Sequence, residues 1–438
     1  MSGMKRNLVL ALAVAAAVAA PSAFATYGYF SHGYGMKAKG MAGAVTALTE
    51  DAFGGANNPA SMVWVGNRVD FGMDWFSPIR SMDRKGAAST NDINAAAPSE
   101  SENFFIPEFG YNAMINPNMS FGVTVYGNGG MNTNYPAGQI TSTTGTGFCT
   151  GFGVGGSGQN VLCGNTALGV DLMQLVIAPT LSYKITSNNS VGISPLFAYQ
   201  RFQANGLQGF AGLSSDSSNL TNNGYSSATG TGVRVGWLGK FTDSFSIGAA
   251  YSSKVNMTKF YKYKGLFAEE GDFDMPSNYN AGIALKATPQ MTFTLDYQKI
   301  KYTDVASVSN PSTNTGALGT DSGRGFGWDD VTVKKLGFEY KASSTMTYRA
   351  GYGKTDNPIQ SRDVTFNILA PGVVQDHYTL GFTRTMDKDS ELTMAFMHAA
   401  ENSVSGNSLF TALSGANNGT ETIKMHQNSL GIALGKKW

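Results

Sequence analysis

The sequence predicts an all-β membrane protein: a 14-stranded antiparallel outer-membrane β-barrel with a small N-terminal hatch, or plug, in its lumen. Three observations carry this. An export signal opens the chain, yet no later run of about 18 apolar residues could form a spanning helix. Fourteen later segments alternate apolar and polar residues. Their connections alternate short and long, the pattern of a barrel with tight turns at one rim and loops at the other. The composition agrees. Charged residues are 14% of the chain, against about 25% in soluble domains. Gly is 54 of 438 residues, and 42% hydrophobic residues argue against disorder. Lys+Arg is 31 and Asp+Glu 30, so the basic excess that nucleic-acid binding requires is missing. Two cysteines exclude a disulfide-rich scaffold and a four-cysteine zinc site.

The elements follow in order. Residues 1–25 read as a signal peptide: Lys5 and Arg6, an apolar run over 8–20, Pro21, and Ala23-Phe24-Ala25 before the cleavage point. Residues 26–66 are Gly/Ala-rich and lack period-two alternation. They carry Tyr27, Tyr29, Phe30 and Tyr34, a predicted short helix at 41–48, and Asn58-Pro59-Ala60. A barrel of about fourteen strands is too wide for its own side chains to fill, so this hatch is expected to fold into the lumen. Residues 67–438 are expected to form the barrel.

The strands are predicted to begin near Arg68, Phe104, Met119, Gly169, Ser190, Ser226, Phe245, Asn278, Met291, Val331, Met346, Gln375, Ser390 and Thr420. Met291-Thr-Phe293-Thr-Leu295-Asp-Tyr297 shows the pattern: successive strand side chains face opposite sides, one toward lipid and one toward the lumen. Polar turns fall at 116–118, 187–189, Asp243, Pro289, 342–345 and 387–389. Long connections fall at 79–103, 127–168, 203–225, 256–277, 302–327, 354–374 and 399–419. Closure matters because an unpaired backbone group in lipid costs several kcal/mol. A periplasmic β-sandwich would also alternate, but nothing in it would alternate the loop lengths.

The opening Gly-Tyr-Phe-Ser-His-Gly-Tyr-Gly, the Lys39-Gly-Met-Ala-Gly43 step and Asn58-Pro59-Ala60 resemble the outer-membrane long-chain fatty-acid transporter (FadL) family, which includes uptake proteins for aromatic hydrocarbons. The resemblance covers essentially the whole mature chain. It implies uptake of hydrophobic compounds by capture on external loops, binding in a hatch-closed pocket, and lateral exit where the third strand bends inward. Capture maps onto the third and fourth loops, with Leu207, Phe210, Leu213, Leu266, Phe267, Phe273 and Met275. The pocket maps onto Tyr27, Tyr29, Phe30, Asn58, Pro59 and Ala60. The family's Tyr-x-Arg at the end of the fifth strand matches Tyr199-Gln200-Arg201, which makes Arg201 the carboxylate candidate. The bend maps onto Gly127, Gly129 and Gly130, where clustered glycine permits a bulge. For each of these the plain structural reading stands beside the functional one: packing between loops, a salt bridge at a loop base, a Gly-rich loop start. Pro179 and Pro195 fall inside strands four and five and each removes a ladder hydrogen bond.

Other motifs carry less. Gly151-Phe-Gly153-Val-Gly-Gly156 matches a dinucleotide fingerprint without its strand–helix context. The four histidines lack metal-ligand spacing and no nucleophile elbow is present, so no enzyme, metal or cofactor is expected. Cys149 and Cys163, 13 residues between them, are expected to form a disulfide in the second external loop. Such a crosslink is worth about 3 kcal/mol. The expected partners are a hydrophobic small molecule and the surrounding outer-membrane lipid and lipopolysaccharide, with the protein acting as a monomer. A passive porin or a structural barrel is the competing reading, and fatty acid against aromatic hydrocarbon stays open.

Overall fold

The computed structural model describes residues 27–438. The signal peptide read at 1–25 lies outside the described residues. The described chain forms a closed antiparallel barrel. Its strands are β1 Arg68–Ala87, β2 Phe104–Asn116, β3 Met119–Tyr135, β4 Leu168–Lys184, β5 Asn189–Asn205, β6 Ser226–Lys240 and β7 Phe245–Ser252. They continue with β8 Asn278–Lys286, β9 Met291–Ile300, β10 Val331–Lys341, β11 Met346–Thr355, β12 Asp376–Thr385, β13 Ser390–Asn407 and β14 Asn418–Lys437. Each pairs with its neighbour in sequence, and β1 closes on β14 from Arg68–Lys437 to Ala87–Asn418. Short strands Ala95–Pro98 and Asn256–Met257 add to the wall from the loops.

The alternation has the expected physical meaning. Outward positions are apolar and exposed: Phe71, Phe121, Leu181, Ile193, Leu295, Leu380, Phe396 and Ile432. They form the lipid face. Inward positions are polar and buried: Asp70, Asp74, Glu108, Gln174, Gln200, Asp296, Glu339 and Arg349. Tight turns lie at one rim, with the barrel's first and last residues, and the long connections lie at the other. β1, β3 and β13 run further toward the loop rim than their alternation predicts, so the connections expected from 79, 127 and 399 begin as strand.

Residues 27–66 lie inside the barrel, almost all buried. The predicted helix at 41–48 is not there. A four-residue helix, Met36–Lys39, precedes it, and turns follow. Gly43 has φ +76°, and a Cβ on it would stand 1.9 Å from the His32 carbonyl oxygen. The chain doubles back on itself here, which a continued helix would prevent.

Candidate functional site

The lumen has two chemistries. Toward the turn rim it is ionic. Lys37 meets Glu391 at 2.7 Å, and Arg68 reaches the same carboxylate at 2.6 Å. Arg349 holds Glu339 at 2.7 Å and Glu50 at 3.1 Å. Lys39 meets Asp74 at 2.7 Å, and Thr46 donates its amide and hydroxyl to Asp296 at 2.9 and 2.6 Å. These contacts tie the N-terminal segment to β1, β9, β11 and β13. Burial, with the nearby Asp70 carboxylate, pushes the Asp51 carboxyl up to about 7.

Asn58-Pro59-Ala60 has a structural explanation. Asn58 is fully buried; its Oδ1 caps the 3-10 turn Pro59–Trp64 by accepting from the Ala60 amide at 3.1 Å. Its Nδ2 donates to the Thr46 and Trp237 carbonyls at 2.8 and 3.0 Å. Pro at the first helical position suits a cap. The motif therefore pins the segment to β6.

Toward the loop rim the lumen is aromatic and aliphatic. Tyr29 packs against Phe30, Tyr302, Trp328 and Phe273 at ring-centroid distances of 5.5, 5.2, 5.8 and 6.2 Å. Beside it is a cavity of about 10 Å³ lined by Tyr29, Arg80, Met131, Trp328, Pro371 and Met425, among others. Arg80 is buried; Nη1 donates to the Asn132 carbonyl and Nη2 to that of Ser101, and the guanidinium lies 6.0 Å from the Phe104 ring centroid. Its Nε has no partner, and among the described residues no carboxylate pairs with it. A second cavity of about 10 Å³, wholly aliphatic and aromatic, lies above it between Leu162, Leu207, Phe210, Leu220, Leu266, Leu318, Phe366 and Leu369. Each has room for about one water.

The expected capture residues are thus brought together but not displayed. Leu207, Phe210, Leu266, Phe267, Phe273 and Met275 are buried, and Leu213 is half-buried. Five long connections meet here, so the loops satisfy one another's apolar surface instead of leaving it to solvent. Cys149 and Cys163 are bonded and lie in the same core, next to Leu162.

Arg201 stands elsewhere than expected. β5 turns Val191, Ile193 and Phe197 outward, and Arg201 shares their parity. Its guanidinium lies over the Tyr225 ring, 4.5 Å from the centroid, on the outer wall. The inward neighbour is Gln200. Arg80, Trp328 and Tyr302 were missed as site residues. Arg80 was legible, because continuing the β1 alternation from Asp70 and Asp74 places it on the lumen face.

The wall beside the inner cavity is irregular. Gly127 pairs with Leu175 and Gly129 with Gln174, so Asn128 is an extra, bulged residue within β3. The glycines thus lie in the strand, not at a loop start. The β2–β3 ladder ends at Phe109–Val125; beyond it, residues 104–108 pair with β1 but not with β3, and residues 126–135 with β4 but not with β2. The N-terminal segment takes up the freed edge. Phe30 bridges to Gly129, the Ser31 amide donates to the Asn128 carbonyl at 3.2 Å, and the Gly130 amide donates to the Tyr29 carbonyl at 3.3 Å. A Cβ on Gly129 would stand 1.8 Å from the Tyr29 oxygen, so only glycine allows this approach. Pro179 and Pro195 also mark a break: β4 and β5 pair from Gly169–Asn205 to Ile177–Phe197 and again from Leu181–Ile193, with nothing between. The Thr180 and Ser194 hydroxyls meet across that gap at 2.8 Å.

A closed β-barrel with a lipid-facing band, a filled lumen and apolar cavities under its loops defines an outer-membrane channel that crosses the membrane many times. The family model "Outer membrane protein transport protein (OMPP1/FadL/TodX)" matches residues 141–435. The chain belongs to that family of transport proteins, and it is not an enzyme. The fold is similar to that of the Pseudomonas putida toluene transporter TodX, with TM-score 0.67 and 19% identity over 93% of this chain and 99% of that one. A Pseudomonas aeruginosa FadL homologue gives 0.65 and 14% over 94% and 99%. The Ralstonia pickettii toluene transporter TbuX gives 0.61 and 16% over 93% and 99%. No curated protein sequence matches the chain.

Proposed function

We propose that this channel takes up hydrophobic small molecules from outside the outer membrane and releases them sideways through its wall. A ligand enters among the external loops at the Leu207–Phe210–Leu266 core and passes to the cavity beside Tyr29. It leaves between β2 and β3 beyond Val125. Residues 26–66 act as the hatch and residues 67–438 as the barrel. The observation that carries this reading is the end of the β2–β3 ladder beside a mostly apolar cavity that Met131 and Asn132 of β3 and Tyr29 of the N-terminal segment line. Both cavities are too small for a ligand at rest, so side chains must move apart as it passes. A general porin has no use for such a filled lumen. One chain holds cavity and break together, which supports action as a monomer, with lipid and lipopolysaccharide around it.

Arg80 takes the place expected of Arg201. A buried guanidinium without a carboxylate can pair with an anionic head group by a charge-assisted hydrogen bond. This favours fatty acids over neutral hydrocarbons. The relatives named as toluene transporters favour the neutral class, and Arg80→Met separates the two: dodecanoate uptake falls while toluene uptake persists if the acid is the ligand.

The exit is tested by deleting Asn128. The bulge contains one extra residue, so its loss restores the register with β4 and keeps Met131 and Thr133 facing inward. A regular β3 can then pair with β2. Uptake by cells with matched surface levels is expected to fall sharply, and unchanged uptake would remove the exit from this place. Val at Gly129 is a poorer test, because it would also push away Tyr29.

A further inference from the structure

Three buried amide side chains cross the wall of the barrel in line. The Asn128 Nδ2 donates to Gln174 Oε1 at 3.0 Å, Gln174 Nε2 donates to Gln200 Oε1 at 3.1 Å, and Gln200 Nε2 donates to the Phe273 carbonyl at 2.7 Å. At the other end, Tyr34 donates its hydroxyl to Asn128 Oδ1 at 3.3 Å, and the Ser31 amide donates to the Asn128 carbonyl at 3.2 Å. Gln174 and Gln200 are fully buried. The line starts in the hatch, crosses β3, β4 and β5, and ends on the fourth external loop. Every amide along it both donates and accepts in the same sense, so no member can turn over without leaving a neighbour unpaired. A buried amide is costly when unpartnered, and a fully satisfied chain of them specifies one arrangement of the elements it joins.

The strands already have their ladder bonds; aliphatic side chains at both positions would leave those ladders intact but take the partners from the Asn128 amide and the Phe273 carbonyl. What the amides add is a linkage. Phe273 lies in the loop core where a ligand first arrives, and Asn128 is the bulge on which the hatch docks beside the exit.

We propose that Gln174 and Gln200 are positioning residues that hold the bulge and the hatch in register with the fourth loop, so that displacement of Phe273 by an arriving ligand loosens the hatch at the exit. This rests on the uptake reading above. The ring contact from Phe273 to Tyr29, 6.2 Å between centroids, runs beside the amide line and does not depend on it.

The test is hydrogen exchange on the full-length protein in lipid nanodiscs, with and without dodecanoate and, separately, toluene. In the parent protein either probe that binds should change exchange at both the fourth loop (270–276) and the hatch–bulge contact (28–34 and 126–132). In Gln174→Leu/Gln200→Leu, which removes both interior amides together, the loop response should persist and the hatch response should vanish. In cells the same variant should keep its half-saturating ligand concentration and lose about tenfold in maximal uptake, the usual scale of coupling between sites. Gln200→Met alone, of similar length, cannot donate to the Phe273 carbonyl and leaves Gln174 bonded to Asn128. It should give the same split and guards against a misfolded double variant. If either variant keeps the joint response, or if the parent's hatch never responds when its loop does, the linkage is wrong and the uptake reading stands. If neither probe alters the parent's loop, the uptake reading itself falls and the linkage with it.

Discussion

The two halves of the lumen, filled by one continuous segment, are held by opposite means. Near the turn rim, Lys37, Lys39, Thr46 and Glu50 engage carboxylates and a guanidinium group on four different strands. Near the loop rim, Tyr29 and Phe30 meet rings and aliphatic side chains, and the strands beside them have lost part of their ladder. Ionic and amide contacts are directional and exclude alternatives; apolar contacts tolerate exchange of one partner for another. On the uptake route proposed above, the lower half would stay shut against polar solutes and the upper half would admit an apolar molecule in place of its own side chains.

The largest disturbance of this contrast is removal of both halves of the filling. Deleting 27–66 should leave a folded, membrane-inserted barrel, because the strands supply their own pairing and lipid face. Planar-bilayer recordings should show a large gain in ion conductance; no gain would mean that the segment does not seal the lumen. Next comes the lower half alone. Arg349→Met leaves Glu50 and Glu339 only Lys341, at 3.6 and 3.5 Å, so the loss should stay below the roughly 3–5 kcal/mol of a buried pair broken from one side. The hatch should loosen, read as faster proteolysis within 37–60, while gel mobility of the unheated barrel stays unchanged.

A smaller effect comes from Asp51. Its carboxyl titrates in the folded protein at about 7, above its ordinary 3.8, because it is buried beside Asp70, with Lys37 and Arg68 opposing. The folded state therefore holds this proton more tightly than the unfolded chain. Hatch stability should fall as pH rises from about 4 toward about 7 and then level off. Asp51→Asn should flatten that slope in a proteolysis–pH profile. The smallest change belongs to the upper half. Cys149→Ser/Cys163→Ser should cost the second loop up to about 3 kcal/mol of local order. Nicking between 150 and 162 should quicken while barrel melting stays put, since no wall strand depends on the bond.

How much of this was legible follows the same division. Every strand start could be read to within two residues, from Arg68 to Asn418, because each crossing must offer lipid one face and the lumen the other. Above the lipid band that demand lapses. β1 continues through Arg80 to Ala87 and β13 to Asn407 with both faces polar or loop-covered, so hydrophobic alternation stops while the strand does not. Counting parity alone would have carried the reading further. It puts Arg80 inside and Arg201 outside, where resemblance had pointed to Arg201. The loop residues Leu207 to Met275 were recognised as a group, but nothing local shows that five loops converge to cover them. Glycine signals the bulge, but nothing in the sequence marks Asn128, between Gly127 and Gly129, as the residue that bears its hydrogen bonds.

The partners of the N-terminal segment have a consequence for assembly. Thr46 bonds a residue 250 positions away, and Arg349 reaches Glu50 across 299. The part of the chain that is made and exported first can finish folding only after nearly all the rest is in place. Bringing together such distant sites is slow, so on the proposed plug reading each new copy would stand open for as long as its first forty residues take to find their seats.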